Sequence, residues 1–301
     1  MHQDGQCTTK VVKFKAYLEK LDENGPTILI DYLAQNTQLS KSQIKRALSE
    51  GAVWIAAQAG RFKKVKRAQT ELQRGQFVQV FWDPEMKAKL APLLQQVHEI
   101  YPQKNWGIWF KPAGLLSQGS KWGDAFTVES VVKQSKGQAF TINRLDMETS
   151  GLNIFAYNSQ VARELSLDLQ NNQIEKHYLA LVSGQMKMAR GPADWIKIET
   201  PIDNRPAISF YRVLKVFENN NTTLLEVKLG TGRTHQIRRH LDFAGFPIMG
   251  DPKYGQGNKN SDGLKLEAYR LIIPGIKPGE KITIELPDHL SLLKKTLKKA
   301  S

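Results

Sequence analysis

The chain has a single cysteine, Cys7, among 301 residues. That excludes an internal disulfide and any metal site built from cysteines. No apolar run approaches the 18 or more residues of a membrane-spanning helix, and Met1–Lys15 has no hydrophobic signal segment. These absences predict a cytoplasmic protein with no membrane partner. Acidic residues are also scarce beside basic ones, 29 against 43, which leaves a formal net charge of +14. Such an excess favours a polyanion, nucleic acid ahead of membrane, although a merely basic protein satisfies composition equally. Hydrophobic residues make up 41% and charged residues 24%, so the chain is globular rather than disordered.

The punctuation along the chain predicts a small module and a larger domain. Residues 1–24 are polar and lysine-rich and read as an extension with one strand near Val11–Tyr17. Gly25-Pro26 breaks it. Within 25–83, helical spacing starts at Ile28, and Ser40-Lys-Ser-Gln43 has the form of a capping box opening a helix ended by Gly51. Short strands follow around Val53 and Phe77. Residues 84–105, with Pro84 and Pro92, read as a linker. From 106 to 290 the text is strand-rich: strands at 152–157 and 176–182, a helix at 160–169, a hairpin through Asn219-Asn220-Asn221, a helix at 234–244 and closing strands at 266–273 and 281–286. That mixture predicts an α+β or mixed α/β domain. Residues 291–301 are a basic tail.

Several clusters carry candidate chemistry. Asn143-Arg-Leu-Asp-Met-Glu-Thr-Ser-Gly151 places Asp146 two residues after Arg144 in a loop, where an arginine can orient a carboxylate; a surface ion pair explains that spacing at least as well. Gly230–Leu241 feeds a glycine turn into a helix whose first turns hold Arg233, His235, Gln236, Arg238 and Arg239. That is either an anion site or a capped helix with solvated arginines. His235 and His240 are five apart, the wrong step for two metal ligands on one helical face. Tyr178 shares a strand face with Ala180 and Val182, where core packing is the simpler reading. Arg61, Lys63, Lys64, Lys66 and Arg67, with Lys41, Lys45 and Arg46 on the preceding helix, form a phosphate-binding face or a solvated one. Phe110–Leu115 and Gly250–Gly255 are turn clusters with no assigned role.

Taken in order, Lys-Pro-Ala-Gly-Leu (111–115), Arg-Leu-Asp-x-x-Thr-Ser-Gly (144–151), Lys-x-Tyr-x-Ala-Leu-Val-x-Gly (176–184), Gly-Arg-Thr-His-Gln-Ile-Arg (232–238) and Gly-Asp-x-x-Tyr-Gly (250–255) resemble the RluA-type family of pseudouridine synthases. The front module resembles an S4-type RNA-binding domain. The resemblance implies a pseudouridine-synthase fold, a long and largely antiparallel mixed sheet with a basic cleft. It implies isomerisation of uridine within RNA, with ribosomal RNA favoured over transfer RNA, by a monomer using no metal or organic cofactor. A non-catalytic RNA-binding or ribosome-assembly factor on the same fold is the reading from another class. By the same resemblance Asp146 is the catalytic aspartate, Tyr178 stacks on the uracil and is the candidate base for its C5 proton, and Arg233 pairs with Asp146. Arg144, Thr149, His235, Gln236 and Arg238 are the expected substrate-binding residues. Two departures stand out: Asn143 where histidine is common, and Leu266-Glu-Ala268 where Leu-His-Ala is usual.

Overall fold

The computed structural model describes residues 11–18, 27–57, 61–187, 195–275 and 279–294. Much of the expected extension, and the basic tail beyond Lys294, therefore lie outside the described residues. The chain forms two compact units, one running to Leu94 and taking in Gln118–Val131, the other comprising Gln95–Ser117 and the chain from Val132 onward.

In the first unit, β1 (Val12–Tyr17) is followed by α1 (Leu29–Asn36), α2 (Lys41–Ser49), β2 (Val53–Ala56), β3 (Lys63–Lys64), β4 (Phe77–Trp82) and α3 (Met86–Leu94). The capping box forms as its sequence predicts. Ser40 Oγ accepts from Gln43 N, and Gln43 Oε1 accepts from Ser40 N at 2.8 Å. The strands order β1-β4-β2-β3, all antiparallel, and one face packs on α1 and α2 around Leu29, Leu33, Ile44, Val78 and Val80.

The second unit is built on β5 (Glu99–Pro102), β6 (Trp106–Lys111), β7 (Phe140–Thr141), β8 (Ser150–Ala156), β9 (Glu175–Ser183), β10 (Ile196–Ile198), β11 (Ser209–Phe217), β12 (Thr222–Leu229), β13 (Leu266–Pro274) and β14 (Lys281–Glu285). Helix α4 (Val128–Lys136), whose first four residues belong to the first unit, precedes β7, α5 (Ser159–Gln170) follows β8, and α6 (Gln236–Phe243) follows β12. The ten strands form one mixed sheet, β10-β11-β12-β9-β13-β8-β6-β5, with β14 on β13 and β7 on β8. Only β13 and β8 run parallel; the other pairs are antiparallel. Gly151 sits at that parallel junction with φ 120°, where a Cβ would lie 2.2 Å from Ala268 O. The close approach of the two strands therefore needs glycine.

The two faces of β9 build two cores. Tyr178, Ala180 and Val182 pack with Ile237 and Leu241 of α6, while Leu179 joins the cluster beneath α5. This is the alternation its sequence predicts.

The observed boundaries differ from the expected ones in two places. Residues 84–105 divide between α3 in the first unit and β5 on the edge of the large sheet. Residues 118–131, expected inside the larger domain, pack with the first unit, where Asp124 N donates to Glu50 O and Trp54 Nε1 to Lys121 O, each at 3.0 Å.

Candidate active site

The loop between β7 and β8 presents Asp146, and its backbone is held from below. Lys111, at the end of β6, is fully buried and donates to the carbonyls of Pro112, Met147 and Thr149 at 3.0, 3.0 and 2.7 Å. Burial pushes the Lys111 amine down to about 7, against the opposing charges of Asp146 and Glu148. Ser117 Oγ accepts from Leu145 N at 3.0 Å, and Gly114 N donates to Met147 O at 2.7 Å. Asn143 is buried as well. Its Oδ1 accepts from Ile154 N at 2.7 Å and from Asn153 Nδ2 at 3.2 Å, so the residue that departs from the family pattern braces the loop against β8. Every second backbone position from 143 to 149 is thus tied down, and the Asp146 side chain is left partly exposed.

The carboxylate of Asp146 meets Arg238 and His235. Arg238 Nη1 lies 3.6 Å from Asp146 Oδ2, and His235 Nε2 lies 3.9 Å from Oδ1. Arg238 is 2% exposed and forms a bidentate pair with Asp251, Nε to Oδ2 and Nη2 to Oδ1, both at 2.7 Å. Burial opposes its charge, but Asp251, Asp146 and Glu148 outweigh burial and hold the guanidinium above its ordinary value. Asp251 is itself fixed by the backbone N–H groups of Lys253 and Tyr254 at 2.8 and 3.0 Å. Its turn follows Gly250, where a φ of 73° and a Cβ position 1.9 Å from Gly263 O require glycine.

Arg233 does not pair with Asp146. Its Nε donates to Pro206 O at 3.0 Å. The reason is local. His235 takes a left-handed φ of 54° as the N-cap, and α6 begins only at Gln236. Arg233 therefore precedes the helix, while Arg238 enters its buried first turn. Of the two arginines in this motif it is Arg238 that faces Asp146, where the sequence led us to expect Arg233.

The remaining expected residues divide. Tyr178 lies 6% exposed in the cluster with Leu145, and burial followed by the Asp146 charge pushes its phenol up. It is protonated at neutral pH, so it could take a proton only during a transfer and not as a preformed phenolate. Arg144 is exposed on the Asp146 loop. Thr149 is buried, and its hydroxyl has no partner among the described residues. Gln236 is buried with its carboxamide fully engaged, accepting from Thr231 Oγ1 and Arg233 N and donating to Ile208 O and Ser209 Oγ. It braces the turn and presents nothing to a ligand. His235 Nδ1 lies 3.0 Å from Tyr254 Oη; burial lowers its pKa, partly offset by Asp146. Glu267 accepts from Ser291 Oγ, Leu292 N and Leu293 N, anchoring the chain at 291–293 to β13.

Sequence reasoning missed Lys111, Asp251 and Tyr254. The motifs containing them are visible, but only the fold shows that Lys111 holds the Asp146 loop and Asp251 aims Arg238.

On the first unit, Lys45, Arg61, Lys63, Lys66 and Arg67 are exposed. Lys41 pairs with Asp31 at 2.5 Å and Lys64 with Asp124. Arg46 pairs with Glu50 at 2.8 Å and lies over the Trp82 ring. No helix of the described residues is long and apolar enough to cross a membrane.

The arrangement joins a carboxylate, a buried guanidinium and a tyrosine ring on one side of a mixed sheet. Comparison with known proteins matches residues 105–243 to the RNA pseudouridylate synthase family model. An uncharacterized RNA pseudouridine synthase of Aquifex aeolicus is 30% identical over 72% of each chain. A tRNA pseudouridine synthase C of Haemophilus ducreyi is 34% identical over 58% of this chain and 84% of that one. A ribosomal large subunit pseudouridine synthase D of Borreliella burgdorferi is 29% identical over 85% of each. With the ordered motifs and the fold, these matches place the chain in the RluA-type family of RNA pseudouridine synthases, isomerases of uridine in RNA.

Proposed function

We propose that the chain modifies uridine in large-subunit ribosomal RNA, with Asp146, Tyr178 and Arg238 forming the reacting centre. The observation that carries this reading is Arg238, buried and aimed by Asp251, with its Nη1 3.6 Å from Asp146 and 3.4 Å from Glu148 on the same braced loop. Asp146 acts on the nucleotide, as nucleophile or as base for a sugar proton, while the N-glycosidic bond breaks. The freed uracil turns on the Tyr178 ring and rejoins the ribose through C5, losing the C5 proton and gaining one on N1. The uridine has to leave its stack to reach Asp146. Exposed Arg144 suits a phosphate near the extruded nucleotide. These steps use side chains alone, with no metal or organic cofactor, and the chain acts as a monomer in the cytoplasm.

The ribosomal assignment is supported by the relative named for that substrate, which aligns over 85% of this chain and so reaches into the front unit. That unit, read as an S4-type module, carries exposed cations at Lys45, Arg61, Lys63, Lys66 and Arg67 suited to structured RNA. The relative named for transfer RNA, 34% identical over 58% of this chain, supports the second reading. Pseudouridine mapping of total RNA from cells with and without the protein separates them. The expected result is loss of specific large-subunit positions; loss confined to transfer RNA would move the substrate there, and no loss anywhere would overturn the reading.

A further inference from the structure

The sheet of the first unit has two unlike faces. One face, with Val53, Val78 and Val80, is the core under α1 and α2. The alternation of the strands sends Lys13, Lys15, Trp54, Gln79 and Phe81 to the other. Their register sets Lys13 opposite Phe81, Lys15 opposite Gln79, and Trp54 on the far side of Gln79. Lys121 and Trp122, from the 118–131 segment, come to this same face. The Phe81 and Trp122 rings meet edge to face at 5.7 Å.

Ammonium groups stand over these rings. Lys13 Nζ lies 5.6 Å from the Trp122 centroid, Lys15 and Lys121 lie 5.8 and 5.2 Å from Phe81, and Lys64 lies 4.8 Å from Trp54. Lys13, Lys15 and Lys121 are exposed, and Trp54 and Trp122 are half-buried. Lys41 of this unit is met by Asp31, and Lys64, over Trp54, by Asp124. Lys13, Lys15 and Lys121 have aromatic rings instead, and no carboxylate pairs with them among the described residues. A ring holds an ammonium group only weakly at an exposed site. The charge is therefore available to a stronger anion, and its departure uncovers the ring.

Phosphates alternating with flat π-faces match that chemistry, and unpaired RNA supplies both. A duplex offers the phosphates but keeps its bases stacked inside. We propose that this sheet face binds a single-stranded RNA segment, with Trp122 stacking on a base and Lys13, Lys15 and Lys121 contacting phosphates. The proposal takes from the functional reading only that the partner is RNA.

The test uses the full chain and a fluorescent oligocytidylate of about twelve nucleotides, which offers the reacting centre no uridine. A hairpin duplex is the control. Trp122→Ala is expected to weaken oligocytidylate binding about tenfold and to change duplex binding less than about twofold. Lys13→Gln with Lys15→Gln, at two exposed positions, is expected to lower the salt slope of oligocytidylate binding by about 1.4, from about 0.7 per lost phosphate contact. Circular dichroism checks folding, and if Trp122→Ala unfolds, the double lysine variant decides. Wild-type chain that fails to bind oligocytidylate would overturn the proposal. So would an unchanged salt slope, or a folded Trp122→Ala variant that loses duplex binding as much as single-strand binding. Because the readout is binding without uridine, an enzyme that proved inactive on every RNA would leave this result standing.

Discussion

The 142–149 loop and the 61–67 segment both concentrate polar residues, yet they are built in opposite ways. In the loop the backbone is held by buried side chains: Lys111 takes two of its carbonyls, Asn143 is locked to β8, and the Arg238 facing it is clamped by Asp251. In the segment Arg61, Lys63, Lys66 and Arg67 extend into solvent. The difference separates two uses of charge. A reacting carboxylate must be positioned within fractions of an ångström, which takes buried hydrogen bonds. Phosphate binding tolerates mobile side chains, because its free energy comes largely from counterion release.

The contrast breaks first at Asp146. Asp146→Asn keeps the shape and removes the charge, so turnover should fall by about 10⁴-fold or more while RNA affinity stays close to wild type, as checked by single-turnover pseudouridine formation and a binding titration. Substantial residual turnover would remove Asp146 from the chemistry. Tyr178→Phe keeps the ring and loses the hydroxyl, and a loss of about 10²–10⁴-fold is expected if that hydroxyl carries a proton in the transition state. A rate within a few-fold of wild type would leave Tyr178 a stacking ring only.

Lys111 sharpens the comparison through stability. Its amine falls from an ordinary 10.5 to about 7 on folding. Between those values the unfolded chain binds the extra proton, so this group makes stability rise with pH from about 7 upward; below 7 its penalty is full and constant. The slope it adds should approach, at most, about 1.4 kcal/mol per pH unit. Lys111→Met should lose that slope between pH 7 and 9 in denaturant titrations, and should also slow turnover because the Met147 and Thr149 carbonyls are released. An identical pH profile would mean that the amine titrates normally.

The smallest effect is expected in the basic segment. Replacing Arg61, Lys63, Lys66 and Arg67 with glutamine should leave the fold intact and cut the salt slope for structured RNA by roughly two to four contacts at about 0.7–0.9 each. Turnover at saturating RNA should change by less than a few-fold. Equal salt slopes would return these residues to solvent.

Much of this was legible in the sequence, for identifiable reasons. Strand β9 has a period of two, so the Tyr178, Ala180, Val182 face could be read directly. The capping box at Ser40 is local, and so are the hairpin at 219–221 and helix α6. The choice between Arg233 and Arg238 was not legible, because it turns on the left-handed φ of His235 and the late start of α6. The work of Lys111 depends on carbonyls 36 and 38 residues further along, and no local pattern carries that. Residues 118–131 were hidden similarly, since only long-range packing assigns them to the first unit. Glu267 looked like a departure from its family and proves to be an anchor for residues 291–293.

The account stands most directly on which arginine serves Asp146. The measurement is the single-turnover rate of pseudouridine formation for Arg238→Lys and Arg233→Lys side by side, with folding checked for both. Lysine keeps the charge but cannot form the two-pronged bond to Asp251. Arg238→Lys should slow the reaction by about 10²-fold or more, on the scale of a lost preorganised donor, while Arg233→Lys stays within a few-fold of wild type. A slow Arg233→Lys beside a near-normal Arg238→Lys would contradict the geometry described for this site.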